Sequence, residues 1–291
     1  MRKVLTALFL CFLLVLPVSA APTVALTFDD GPSGRFTRAL LDGLAERNVK
    51  ATFFLCGYRI RQYPELAQRI AEEGHEIGCH GFSHDSMATM SRRDIYEEIQ
   101  STLALLPEGS RVKLLRPPGG CCSESVAQVA QALKMPIVQW SVDPKDWAVH
   151  DAAIVKARVL QQARDGDIIL MHDMSSSSVS AALAIVDTLT ARGFRFATVS
   201  ELAVKKQVPM VAGKSYTDFG GGKILPPLRG RGMLDARAIG NSCLLSPITP
   251  LFSQGFRPAS FPGGEASLPI PSEKNVAMRR KDWYTCKECM T

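Results

Sequence analysis

The chain lacks an apolar stretch long enough to cross a bilayer, a second Cys-x-x-Cys pair and a basic face on its main body, and it has only five histidines in 291 residues. A spanning helix needs about 20 consecutive apolar residues. The one sustained apolar run, residues 4–16, is thirteen long. Arg2 and Lys3 precede it, and Pro17, Val18, Ser19, Ala20 and Ala21 follow. A charged start, an apolar middle and small residues at the end predict an export signal over residues 1–20, cut after Ala20. An uncleaved anchor is the alternative. Cys11 lies inside the run with no small residues before it, which speaks against lipid attachment.

The cysteines are irregularly spaced. Cys56, Cys79, Cys121 and Cys122 fall in the main body, and Cys243, Cys286 and Cys289 fall near the end. Export permits disulfides, but a chain this long can bury a core without staples, so no disulfide framework is expected. Cys286-x-x-Cys289 has neither a second pair nor a histidine partner and is weak as a metal or redox site. Charge excludes another class. Residues 207–291 hold eleven Lys and Arg against six Asp and Glu, net +5 of the chain's +6. Arg2 and Lys3 supply +2 of the rest, so residues 21–206 carry about −1. A body without a basic face predicts no nucleic-acid partner.

What is present is alternation. Short β-rich runs at 24–28, 51–55, 76–79, 113–115, 137–140, 168–171 and 195–198 are separated by segments with apolar residues three and four apart. These helical segments are 37–47, 64–73, 95–106, 125–133, 152–163 and 179–191. Ser91 followed by Asp94 resembles a helix-starting capping box. Seven strands alternating with helices predict an α/β fold with a parallel sheet closed, or nearly closed, into a barrel. Residues 207–291 contain nine of the eighteen prolines and ten of the twenty-two glycines without periodicity, and are expected to be a largely disordered tail.

In barrels of this type chemistry gathers at the carboxyl ends of strands. Five such ends carry polar residues here. Asp29-Asp30-Gly31-Pro32 closes the first, where a turn lets both acids reach one cavity; a plain Asp-capped turn is the alternative. His80-Gly81-Phe82-Ser83-His84 follows the third. Its spacing predicts two imidazoles on one helical face, able to share a metal. Two unrelated surface histidines are the alternative, opposed by the scarcity of histidine in the chain. Asp30, His80 and His84 together can supply the three protein ligands of an open zinc site, leaving Asp29 unshared beside it. Arg116-Pro117-Pro118-Gly119-Gly120 follows the fourth, with Arg116 able to grip a carboxylate bidentately; a stiff loop with a surface arginine is the alternative. Asp143, Asp146 and Trp147 come after the fifth, and His172 ends the buried run 168–171. His75 is taken as structural and His150 as a loop residue.

These five segments, in this order, resemble the motifs of the polysaccharide deacetylases, carbohydrate esterase family 4 or the NodB-homology domain. The resemblance covers about residues 22–206. It implies a distorted (β/α)7-type barrel and one divalent metal, usually zinc, with cobalt or another divalent ion as alternatives. It further implies Asp30, His80 and His84 as ligands, Asp29 as general base, Arg116 orienting Asp29, His172 as general acid and Asp146 tuning His172. Gly119 would offer its backbone N–H to the oxyanion, and Trp147 would line the acyl pocket. Two positions depart from the pattern: Gly81 stands where Ser or Thr is common, and Gly119 where an aromatic is common.

The expected activity is N-deacetylation of an N-acetylglucosamine polymer, peptidoglycan foremost, by a secreted, wall-associated monomer. The membrane is a partner only if the first segment stays uncleaved. The competing substrates are O-acetylated xylan and chitin oligosaccharides. A wall-binding protein with a silent site and a flexible basic tail is the reading from a different class.

Overall fold

The computed structural model describes residues 21–110 and 112–221. The expected export signal, the Cys286-x-x-Cys289 pair and most of the expected tail lie outside the described residues. The order begins β1 (Thr23–Gly31), α1 (Gly34–Glu46), β2 (Thr52–Leu55), α2 (Gly57–Gln62), α3 (Pro64–Glu72) and β3 (Glu76–Cys79). It continues α4 (Arg92–Leu103), α5 (Glu124–Ala132), β4 (Ile137–Val138), α6 (Ala152–Gln162) and β5 (Ile168–His172). It ends α7 (Ser176–Ala191), β6 (Arg195–Ala197), α8 (Val199–Lys205) and β7 (Ser215–Tyr216).

β1 is the central strand, and all of it except Asp30 is buried. It pairs in parallel with β5 on one side and with β2 on the other, and β2 carries β3. β6 joins the first residues of β1, and β4 pairs with β7. Single parallel bridges carry the sheet round. Leu115 bridges Cys79 and Ile137, and Val142 bridges Ile169 of β5. The circuit therefore closes as the expected distorted α/β barrel. The strand expected at 113–115 shrinks to the bridge at Leu115, which alone pairs with both Cys79 and Ile137.

Side chains on a strand alternate between faces, and β1 uses both. Val24, Leu26 and Phe28 pack with Leu40, Leu41 and Leu44 of α1 and Ile185 and Leu189 of α7. Ala25, on the opposite face, packs with Phe54, Leu114, Val138 and Ile168. Thr27 and Asp29 share that second face, nearer the carboxyl end of the strand. The inner face thus grades from apolar at one end to polar at the other, and the site lies at the polar end.

Three elements escaped the sequence pattern. α2 is six residues long, too short to show helical periodicity. β7 is two residues long. α8 did carry a signal, since Thr198 and Glu201 form a complete capping box. At α4 only half of the expected box forms. Ser91 Oγ accepts the Asp94 N–H at 3.2 Å, but the Asp94 carboxylate takes the Ser91 hydroxyl rather than its amide.

Packing continues past the expected domain boundary at Lys206. Tyr216 and Phe219 are each 3% exposed and join the Ala25–Phe54–Ile168 cluster. The Gly213 N–H donates to the Met135 carbonyl at 2.9 Å and the Phe219 N–H to that of Gly166 at 2.8 Å. Burying a large apolar side chain contributes about 1.5–3 kcal/mol, so a chain ending at Lys206 should be roughly 3–6 kcal/mol less stable than one ending at Gly221. Urea unfolding of the two truncations measures this; equal midpoints would show that residues 207–221 are not integral to the barrel.

Candidate active site and metal centre

Strand alternation by itself would send Asp29 and Asp30 to opposite faces of β1. A bulge prevents this. Asp29 pairs with Phe54 and Gly31 with the next residue, Leu55, so Asp30 is extra in the register. Its φ is 69°, left-handed backbone that Asp and Asn tolerate better than most residues. The bulge inside the strand, rather than the Gly-Pro turn after it, brings both carboxylates to one cavity.

The histidine pair also differs from expectation. The segment from His80 to His84 is a loop, not a helix, and His84 itself has φ 69°. The loop is pinned from two sides. Glu98 of α4 accepts the N–H groups of Phe82 and Ser83 at 2.7 and 2.9 Å. The Gly57 and Tyr58 N–H groups donate to the Gly81 and Phe82 carbonyls at 2.9 and 3.0 Å. Gly81 has φ 79°, and a Cβ on it would fall 2.8 Å from Met87 Cε, so glycine suits this position. The outcome still gathers the two rings, whose centroids lie 5.2 Å apart.

Asp30 Oδ1 lies 2.9 Å from His84 Nε2 and 3.2 Å from His80 Nε2. One donor atom from each of the three residues lies within 4.8 Å of the others. Asp30 Oδ1 is buried. His80 Nδ1 donates to the Arg116 carbonyl at 2.7 Å, which orients the ring with Nε2 toward Asp30. A buried carboxylate oxygen and two imidazole nitrogens, gathered about one point, fit a divalent cation. Burial opposes ionisation of Asp30, but the facing His80 and His84 rings outweigh it and hold the carboxyl well below its usual range. Burial likewise depresses His84, and Asp30 outweighs that to raise it. A cation bound there would compete with the His84 proton.

Asp29 stands beside this cluster, with Oδ2 3.7 Å from His80 Nε2. Its Oδ1 accepts from Arg116 Nη1 at 2.7 Å. Arg116 is fully buried, yet its grip is not the expected bidentate one. Nη1 also bonds Thr27 Oγ1, while Nε and Nη2 donate to the Val138 and Gln139 carbonyls at 2.9 and 2.8 Å. The guanidinium lies 4.0 Å from the Phe54 ring centroid. Backbone carbonyls of the neighbouring strand thus fix the fork, leaving one nitrogen for the acid.

His172 is in register with Asp29 on the adjacent strand. Asp146 holds it twice, taking the ring at Nδ1 and the backbone N–H, each at 2.8 Å. Burial pulls the His172 pKa down, but Asp146 and the charge of Asp30 overcome it and push it up to about 10. Its Nε2 lies 4.0 Å from Asp30 Oδ2.

Trp147 directly follows Asp146 and is half-buried, and Gly119 is exposed in the turn Pro118–Gly120. Asp143 accepts the Lys145 N–H at 2.8 Å and caps a turn. His75 is buried, accepts the Ala51 N–H at 3.1 Å, and is drawn down to about 4 by burial; His150 is an exposed loop residue. No disulfide joins the four cysteines of the described residues. Sequence reasoning missed three residues that hold the site: Thr27, Glu98 and Asp173. None stands out in the chain, since each acts through the loop or strand it contacts.

In metal-free protein the His172 imidazole should stay protonated far above the ordinary histidine range near 6.5 and lose its proton only as pH rises toward the raised value. Asp146→Asn removes the carboxylate at Nδ1 and should lower that pKa by at least about one unit. Imidazole NMR titration of both proteins measures it, and coincident curves would rule out Asp146 as the cause.

The geometry agrees with what the chain resembles. The family model for polysaccharide deacetylases matches residues 18–138. The peptidoglycan-N-acetylglucosamine deacetylase PgdA of Listeria monocytogenes is 39% identical over 197 residues, a match covering 67% of this chain and 41% of that one. The chain therefore spans about two-fifths of the length of that relative. A peptidoglycan-N-acetylglucosamine deacetylase of Bacillus cereus is 36% identical over 62% of this chain and 87% of its own. Among solved structures, a family 4 acetyl xylan esterase from Clostridium thermocellum in complex with a cobalt ion aligns with TM-score 0.63 at 34% identity, over 67% of this chain and 98% of that chain. A relative matched over most of its own length, on a barrel of the same fold, is decisive: the chain belongs to the polysaccharide deacetylase family.

Proposed function

We propose that the chain is a secreted, metal-dependent deacetylase that hydrolyses N-acetyl groups of an N-acetylglucosamine-containing polysaccharide, peptidoglycan foremost. The observation that carries this reading is the buried Asp30 Oδ1 facing two imidazoles, with a second carboxylate alongside that accepts a hydrogen bond from Arg116. Asp30, His80 and His84 would hold one divalent ion, zinc in this proposal. A cation in a three-ligand site lowers the pKa of water toward about 7 and polarises a carbonyl.

This chain's own groups then divide the proton work. Asp29 accepts a proton from the attacking water at Oδ2, because Oδ1 is engaged by Arg116. His172 delivers a proton from Nε2 to the departing amine nitrogen, while Asp146 keeps Nδ1 occupied and the ring charged. The Gly119 backbone N–H steadies the oxyanion; one such donor contributes roughly 3–4 kcal/mol. Trp147 lines the space for the acetyl methyl. Water and amide are consumed; acetate and a free amino sugar result.

Acetate release assayed on peptidoglycan, chitin oligosaccharides and acetylxylan, with chelator and with added zinc or cobalt, tests the reading. Similarity to an acetyl xylan esterase makes the xylan arm a direct competitor. Chelation should abolish release and added metal restore it; glycan binding with no release under any condition would point to a silent wall-binding protein. Asp29→Asn should lower kcat by about 10²–10⁴-fold with metal content retained, and loss of metal in that variant would mean Asp29 is a ligand rather than the base. Export is proposed from residues 1–20 alone. Mass spectrometry of the secreted protein should find Ala21 at its amino end, whereas an intact Met1 would mean an anchored form.

A further inference from the structure

We propose that Asp173 is a positioning residue that sets the metal centre by locking the exit of β1, just after Asp30, to the exit of β5, just after His172. The proposal rests on the metal-site reading above and extends it to a residue outside the ligand set.

Asp173 is fully buried and directly follows His172. Its Oδ2 accepts the Thr37 hydroxyl from α1, and its backbone carbonyl accepts the Ser33 hydroxyl. The Ser33 N–H donates in turn to Thr37 Oγ1 at 2.6 Å. The three bonds form a closed, buried ring between two strand exits. The carboxylate also packs on the backbone of Gly31, where an added Cβ would fall 2.8 Å from Asp173 Oδ1 and 3.0 Å from Oδ2. Gly31 is the residue after Asp30, and only a residue without a side chain lets Asp173 approach this closely.

Asp30 needs such a clamp. Its left-handed backbone, at φ 69°, persists only where surrounding structure over-determines it. β2 pairing holds the strand up to Asp29 and resumes at Gly31, leaving Asp30 itself without a ladder partner. The Ser33–Thr37–Asp173 ring closes the far side. It also continues the tie between the two strands beyond the last ladder pair, Asp29 with His172, next to which His172 Nε2 sits 4.0 Å from Asp30 Oδ2. Asp173 thus acts on the donor triangle through Asp30, by hydrogen bonding and contact rather than as a ligand.

Full-length protein and its Asp173→Ala, Asp173→Asn and Thr37→Val variants should be compared for zinc affinity by competition with a chromophoric chelator, with near-UV circular dichroism as the check on fold. Groups behind a metal ligand typically govern affinity by about 10–100-fold, and Asp173→Ala should lose affinity on that scale. Thr37→Val should move in the same direction. Asp173→Asn keeps an oxygen for the Thr37 hydroxyl and should rescue most of the affinity, an outcome that a merely structural role does not predict. Wild-type affinity in folded Asp173→Ala or Thr37→Val protein would overturn the proposal, and so would an asparagine variant as weak as alanine. If the alanine variant does not fold, the other two decide the same question. A wild-type protein that binds no zinc would overturn the metal reading together with this inference, whereas wild-type binding with indifferent variants would overturn this inference alone.

Discussion

The bulge at Asp30 is the constraint on which the site depends. A regular strand would deliver Asp29 to the interior of the barrel and Asp30 to the helix layer, where Val24, Leu26 and Phe28 already point. A buried carboxylate in that apolar layer would be costly and without a partner. One extra residue in the register, with left-handed backbone, turns Asp30 back toward the mouth while leaving Asp29 inward. Two adjacent acids then face one cavity in different surroundings. The difference between those surroundings separates a candidate ligand from a candidate base.

Buried charge dictates the rest of the arrangement. An unpaired ion in the interior costs several kcal/mol, so each ionised group here requires a counterpart. Asp29 has Arg116, and Asp146 has His172. Asp30 alone has only imidazoles. In the proposed function a divalent cation completes that pairing. Arg116 ties the subsites together, since its side chain holds Asp29 while its backbone carbonyl orients the ring of His80. A change at this one position would disturb the candidate base and a candidate ligand at once.

The matched portion of the family model ends at residue 138 and so includes Asp29, Asp30, His80, His84 and Arg116 but not Asp146 or His172. The barrel unites the two sets. β5 lies beside β1 with His172 opposite Asp29, and the connection from β4 brings Asp146 to His172 Nδ1. Residues 207–221 add β7 to β4 and pack Tyr216 and Phe219 into the apolar cluster on the inner face, with Ala25, Phe54 and Ile168. The Asp146–His172 end of the site is therefore built by the later half of the fold, on strand pairing that no local motif encodes.

Much of this was legible in the chain. Short β-rich runs and apolar residues three and four apart located six of the strands and six of the helices to within a few residues, because burial on one or two faces selects residue types directly. Strand-end placement likewise drew attention to Asp29, Asp30, His80, His84, Arg116, Asp146 and His172. The errors share a cause. The helix read from His80 to His84, the bidentate Arg116, the strand at 113–115 and the boundary at Lys206 all depended on contacts with distant residues: Glu98, the Val138 and Gln139 carbonyls, Leu115 bridging two strands, and Tyr216 in the core. The sequence by itself determined which residue types stand at the ends of which strands, since spacing and apolar period are local properties. Only the tertiary structure decided which way each side chain points and what holds it there, because bulge register, loop pinning and the Asp173 ring arise from hydrogen bonds between residues far apart in the chain.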